Sequence, residues 1–329
     1  MRRPVTSLLL LLFLVASLYV ARPVRAPVSS PASPPVTRGL PAPTAVVTRA
    51  GASYLVAERQ AWQVSHAGAG LRPVTLQWID IPEPSGAGIW QVAGLTDGQA
   101  LFGLGGPVYP SPARPDTLLL DPGSQQLYEV TPKTAGGSAP PVAVAPAVRV
   151  SAVRWAPSGR WAVLAGAGPD GVGVYQWFSR GGIVWLGAVA GATQLAALPD
   201  PVVATDAGAI WWRGHGSYDL HLASVAVSAA GTVLGFSAGQ AVWWSAGHVQ
   251  HLPVPGLPLA APRFSPSGQS AAYVAQVGRA SELIVVSGRG VVALRVLPEG
   301  SAVASGWIGR RVVVAVLSGP HIGTYFVNP

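Results

Sequence analysis

Three histidines, His66, His215 and His248, fall in equivalent turns after aromatic strands. Imidazoles repeated on one face would suit a metal ion. Zinc, however, needs its nitrogens within roughly 2.1 Å, whereas packed sheets lie about 10 Å apart. Turns on separate sheets do not converge on one ion, so these histidines read as surface residues. A second candidate is the run GAGPDG at 166–171, which fits G-x-G-x-x-G after an apolar strand. A dinucleotide site needs those glycines to open a helix whose N-terminus meets the pyrophosphate. The next residues, VGVYQWF, continue as a strand, and Pro169-Asp170-Gly171 is therefore a hairpin turn. Asp200 and Asp206 flank one strand, and Asp219 and His221 follow it, but nothing orients them as a catalytic set. There is no Gly-x-Ser-x-Gly elbow, no His-Glu-x-x-His and no close carboxylate pair on a strand. Cysteine is absent altogether, which excludes disulfides, thiolate metal sites and a cysteine nucleophile. What remains is a pair of arginines, Arg154 and Arg263, each one residue before an aromatic and a Pro-Ser-Gly turn. They are the candidate ligand-facing residues, suited to an anion. No catalytic residue, cofactor or metal ligand is assigned.

The elements that carry these residues follow from composition and repetition. Charged residues make up 10% of the 329, hydrophobic residues 50%, and Gly (40) and Pro (32) are abundant. Low charge with many turn formers points to a β-rich globular domain, since disorder needs high charge and few apolar residues. The net charge of +8 is concentrated at one end. Arg2, Arg3, Arg22, Arg25 and Arg38 precede residue 44, and taking these five from the 21 basic residues leaves 16 against 13 acids. The rest of the chain has no basic face, so nucleic acid is not an expected partner.

The N-terminus reads as an export signal. Two arginines precede the uncharged stretch 4–21, whose 18 residues would span about 27 Å as a helix, close to the ~30 Å of a bilayer core. Either it stays as a signal anchor, or it is removed at Val24-Arg25-Ala26, where Pro27 hinders cleavage. In both cases Arg2 and Arg3 keep the N-terminus inside and send the rest outside the cytoplasm. Residues 22–43 form a proline-rich, semi-rigid linker, and residues 44–329 form the folded domain.

That domain repeats. WAPSG (155–159) and FSPSG (264–268) each precede an apolar run, and units of similar layout start at 51, 98, 159, 200, 231, 268 and 309. Their mean spacing, (309 − 51)/6, is 43 residues, and no amphipathic helical pattern follows residue 44. Several short strands per 40–45-residue unit are the mark of a β-propeller. The expected fold is all-β: a seven-bladed β-propeller (six or eight being the neighbouring counts) behind an N-terminal hydrophobic helix and Pro-rich linker. In each unit the first and second strands meet at a turn whose glycine (Gly159, Gly231, Gly268) takes positive φ. The long 98–159 interval reads as loop insertions, YPSPARPD at 109–116 and KTAGGSAPPVAVAP at 133–146. The last unit has three strands of its own, and part of 36–49, around 44–48, is expected to supply the fourth and close the ring. The twelve tryptophans are expected mostly to fill the wedges between blades.

WAPSG and FSPSG resemble the F-S-P-D-G turn of TolB-like and WD-repeat-like bacterial β-propellers, strongly over 147–189 and 259–299. Ser158 and Ser267 stand where that family carries Asp. The resemblance implies a fold rather than a TolB-type role. The functional expectation is a non-catalytic, monomeric scaffold tethered to the cell membrane by its N-terminal helix, or secreted if that signal is cleaved. It would bind an envelope protein or polymer. The alternatives are a channel-site enzyme of the lactonase or quinoprotein kind, or a carbohydrate-binding propeller.

Overall fold

The computed structural model describes residues 30–31, 37–38, 43, 45–49, 52–57, 60–65, 70–82, 89–95, 101–103, 108–114, 116–131, 140–179 and 181–329. The expected hydrophobic helix lies outside them. No helix long and apolar enough to cross a membrane occurs among the described residues. Everything described is strand, turn or loop.

Eight antiparallel sheets follow one another in chain order, at 45–74, 76–103, 108–143, 149–188, 192–219, 223–252, 263–296 and 302–327. The second has three strands, and the other seven are blades with four antiparallel strands each, the eighth by borrowing and the seventh with a fifth, parallel strand at its edge. From the third sheet to the eighth, the first strands of successive sheets lie side by side, and Ala45–Arg49 of the first sheet lies beside Ala302–Ile308 of the eighth. Leu55 and Trp62 of the first sheet pack on Val313 and Phe326 of the eighth, which closes the ring. The molecule is an all-β propeller.

Burial follows position in the blade. A second strand is covered by neighbours on both sheet faces, so it reads as a continuous apolar run instead of an alternation. Val312 to Val316 and Ala271 to Ala275 are all buried. Outer strands face water, as at His248–Leu252, where only Leu252 is buried. The tryptophans fill the wedges as expected: Trp62, Trp155, Trp177, Trp243, Trp244 and Trp307 are buried. Adjacent pairs split between faces, because successive strand side chains point oppositely. Trp243 packs toward Tyr273 of the seventh sheet, whereas Trp244 packs toward Ile210 of the fifth.

Two expectations need correcting. The stretch read as loop insertions is itself a blade, built from Val108–Pro110, Thr117–Leu120, Leu127–Val130 and Val142–Ala143. Its first turn carries Arg114 where the turns of the fourth, sixth and seventh sheets carry Gly159, Gly231 and Gly268, which hid it from a search for turn glycines. Gly98, taken as the start of a unit, instead falls between the last two strands of the three-stranded sheet, Ile89–Leu95 and Leu101–Gly103. Second, the apolar segment around 44–48 does not complete the last blade. It is the first strand of the first sheet, Ala45–Arg49, paired with Ala52–Ala57. The closing strand is Thr37–Arg38, within the expected 36–49 range and antiparallel to Gly323–Val327. Upstream of it, Ser30–Pro31 adds a parallel strand to Gly290–Val296 of the seventh sheet, so part of the expected linker is paired.

Candidate functional site

The repeated turns build one end of the channel. In FSPSG the Ser265 N–H donates to the Ser270 carbonyl at 2.8 Å, and the Gly268 N–H to the Ser265 carbonyl at 2.9 Å. The same pair recurs at Ala156 with Trp161 and Gly159, and at Ser228 with Thr232 and Gly231. Gly159, Gly231 and Gly268 have φ of +63°, +80° and +71°, the left-handed conformation expected of them. The Ser158 and Ser267 hydroxyls brace these turns from within, accepting from the Arg160 and Gln269 N–H groups at 3.3 and 3.4 Å. Each turn also sits against its predecessor. A Cβ on Gly159 would lie 2.4 Å from Ser111 Oγ of the third sheet, and one on Gly268 would lie 3.1 Å from Ser228 Oγ of the sixth.

Beneath the turns, two tryptophans tie neighbouring blades together. Trp155 Nε1 donates to the Tyr109 carbonyl at 2.8 Å and Trp307 Nε1 to the Arg263 carbonyl at 2.6 Å, each on the preceding sheet's first strand. Such bonds give directional closure to faces that are otherwise apolar.

The mouth of the channel at this end is a cavity of about 500 Å³. Val46 and Val47 wall it from the first sheet, and Val108, Tyr109 and Pro110 from the third. Val153, Arg154 and Trp155 line it from the fourth, and Ala229 from a turn of the sixth. Arg154 is the one charged side chain among the described lining residues. It is open to cavity water, yet the surrounding protein desolvates it enough to lower its pKa. It makes no hydrogen bond or ion pair with other described residues. Arg263 occupies the corresponding place on the seventh sheet, opposite Ala272 as Arg154 is opposite Val163. It is exposed but does not line this cavity, so the two arginines are not brought to one site.

The remaining candidates are dispersed. His66 lies outside the described residues. His215 stacks on Trp212 at 3.5 Å on the fifth sheet, and His248 begins an outer strand of the sixth. No group of three metal-ligating side chains occurs among the described residues. The run at 166–171 is a hairpin between Trp161–Gly168 and Gly171–Phe178. Asp219 and His221 approach to 3.3 Å, both exposed.

Sequence reasoning missed one gathering of charges, in the third sheet. Buried Asp116 is ion-paired with Arg114 at 2.6 Å. Burial, and then the Asp116 charge, push the Glu129 carboxyl up, with Arg114 opposing. The strands that carry them pair Leu118 with Glu129, a register that no spacing in the sequence announces.

No protein-family model matches the chain, and none of the curated proteins does. Among solved structures, apo AztD from Citrobacter koseri is similar at 10% identity and a TM-score of 0.46, over 82% of this chain and 92% of that one. Virginiamycin B lyase from Staphylococcus aureus is similar at 10% identity and a TM-score of 0.42, over 84% and 92%. TolB from Acinetobacter baumannii is similar at 16% identity and a TM-score of 0.33, over 69% of this chain and 57% of that one. Likeness at this level carries no functional argument. The propeller assignment rests on the sheets themselves.

Proposed function

We propose that the chain is an exported propeller, tethered to the membrane by its N-terminal segment, that binds an envelope protein or polymer without catalysing a reaction. The observation that carries this reading is the chemistry of the channel mouth. Its described walls are valine, proline, alanine and aromatic side chains with one serine and a single arginine, and no carboxylate or imidazole is among them. Acid–base chemistry needs titratable groups aimed at one reacting atom. A rigid ring of turns around an apolar mouth is instead suited to recognition, since little conformational entropy is lost when a preformed surface binds.

The experiment is site-specific photocrosslinking in intact cells. A photoreactive side chain at Pro157 or Ala229 samples the turn end, and one at Val172 samples the opposite end of the same ring. Adducts of one defined mass from the turn-end positions, absent from Val172, support the reading. A pattern with no preference for that end overturns it.

A further inference from the structure

The channel mouth combines a cavity of small-molecule size with one cation that has no counter-charge among the described residues. Its volume of about 500 Å³ falls within the ~300–1,000 Å³ typical of ligand pockets. An arginine stays protonated at all accessible pH values, so Arg154 cannot relieve its desolvation by losing a proton. Relief comes from water or from an anion. The walls around it, among them Val47, Val108, Val153, Tyr109 and Trp155, offer nothing to solvate a second charge but much apolar and aromatic surface.

We propose that this cavity binds a small monocarboxylate with an apolar or aromatic body, with Arg154 as its counter-ion. The planar guanidinium fork matches the two oxygens of a carboxylate and can hold both. One arginine neutralises one negative charge, which favours a monocarboxylate over a phosphate dianion. The body of the ligand lies against the valine and aromatic wall, where burying apolar area contributes about 25 cal/mol per Å². This site goes beyond the partner-binding reading and does not depend on it: a small ligand can occupy the mouth whether or not a macromolecule covers it.

The test uses the full-length chain in lipid nanodiscs with 6-fluoro-2-naphthoate as probe, followed by fluorine NMR. Saturable binding of the acid is expected, with the neutral 6-fluoro-2-naphthamide at least tenfold weaker. Arg154→Met should weaken binding of the acid at least tenfold, Arg154→Lys less, and Arg263→Met not at all. Unsaturable acid binding, an amide that binds as tightly as the acid, or an Arg154→Met variant of unchanged affinity each overturns the proposal. The comparison of acid with amide uses the unaltered chain, so it decides the matter even if a variant fails to fold. Tighter binding of 2-naphthyl phosphate than of the naphthoate would refute the monocarboxylate assignment.

Discussion

Three turn glycines share a backbone conformation but differ in what surrounds them, which makes a graded test of the turn architecture. A Cβ on Gly309 (φ +58°) would meet nothing within 4 Å, one on Gly268 would come 3.1 Å from Ser228 Oγ, and one on Gly159 would come 2.4 Å from Ser111 Oγ. Holding an L-residue in the left-handed region costs roughly 1–2 kcal/mol. Gly309→Ala should therefore lose about that amount and no more. Gly268→Ala should lose slightly more, because its neighbour must yield by a few tenths of an ångström. Gly159→Ala adds a collision, since Ser111 is fully buried and its hydroxyl also accepts from the Arg114 N–H at 3.2 Å. Displacing that hydroxyl costs a further ~0.5–1.5 kcal/mol for the hydrogen bond, so the total comes to roughly 1.5–3.5 kcal/mol. Urea unfolding followed by tryptophan fluorescence measures the series. A double-mutant cycle isolates the collision: in a Ser111→Ala background, Gly159→Ala should cost no more than Gly309→Ala does alone. Equal losses at all three glycines, or no coupling between Ser111 and Gly159, would show that successive turns do not bear on one another.

Glu129→Gln should stabilise the protein at neutral pH. The folded state raises the carboxyl's pKa, so Glu129 favours folding when protonated and that contribution is lost as pH rises through the folded value. The gain in unfolding midpoint should accordingly vanish toward the ordinary carboxylate range near about pH 4, and a gain independent of pH would contradict this. Removing residues 1–29 should leave a cooperative domain, whereas removing 1–43 strips the added strands from Gly290–Val296 and Gly323–Val327 and should produce aggregation. A monomeric 44–329 fragment that melts like the longer one would show that these strands do not secure the ring. An enzyme reporter fused after Pro329 should be active only outside the cytoplasm, and cytoplasmic activity would remove the export claim.

Where a turn needed glycine, the fold was legible in the sequence. Gly159, Gly231, Gly268 and Gly309 all fall between first and second strands with positive φ, a left-handed mark that side-chain chemistry rarely disguises. The start at Asp200 sits in a turn without glycine and was found from its paired tryptophans instead. The third sheet lacked that mark. Its turn keeps the serine and proline of the seventh sheet's, Ser111-Pro112 matching Ser265-Pro266, but has Arg114 in place of Gly268. An alignment built on Ser-Pro instead of Gly would have found it. Arg154 was singled out from its place beside an aromatic turn, and the structure puts it on the cavity wall, but Arg263 shares the same local sequence and does not line it. Which sheets meet across the channel is a property of the closed ring, so no local pattern distinguishes the two. The Asp116–Glu129 neighbourhood was hidden for a related reason, since it depends on strand register.

The way the N-terminal strands are distributed sets an order of events in time. Ser30 pairs with Arg295, Thr37 with Thr324, and the next strand opens the first sheet, so the earliest-made residues are stapled onto the last-made blades. A chain emerging from a ribosome or an export pore can assemble the middle sheets from contacts between near neighbours. It cannot complete the eighth until residue 327 arrives. Thr37 and Thr324 are 287 positions apart, and joining ends so distant costs about 5 kcal/mol in loop entropy beyond a constant term. The seam is thus the slowest step available to this fold. Until Ser30–Pro31 and Thr37–Arg38 dock, the outer edges of the seventh and eighth sheets stand open to misassembly. A chaperone that shields Gly323–Val327 until the N-terminal strands dock would act on the one step that the propeller's own local contacts do not hasten.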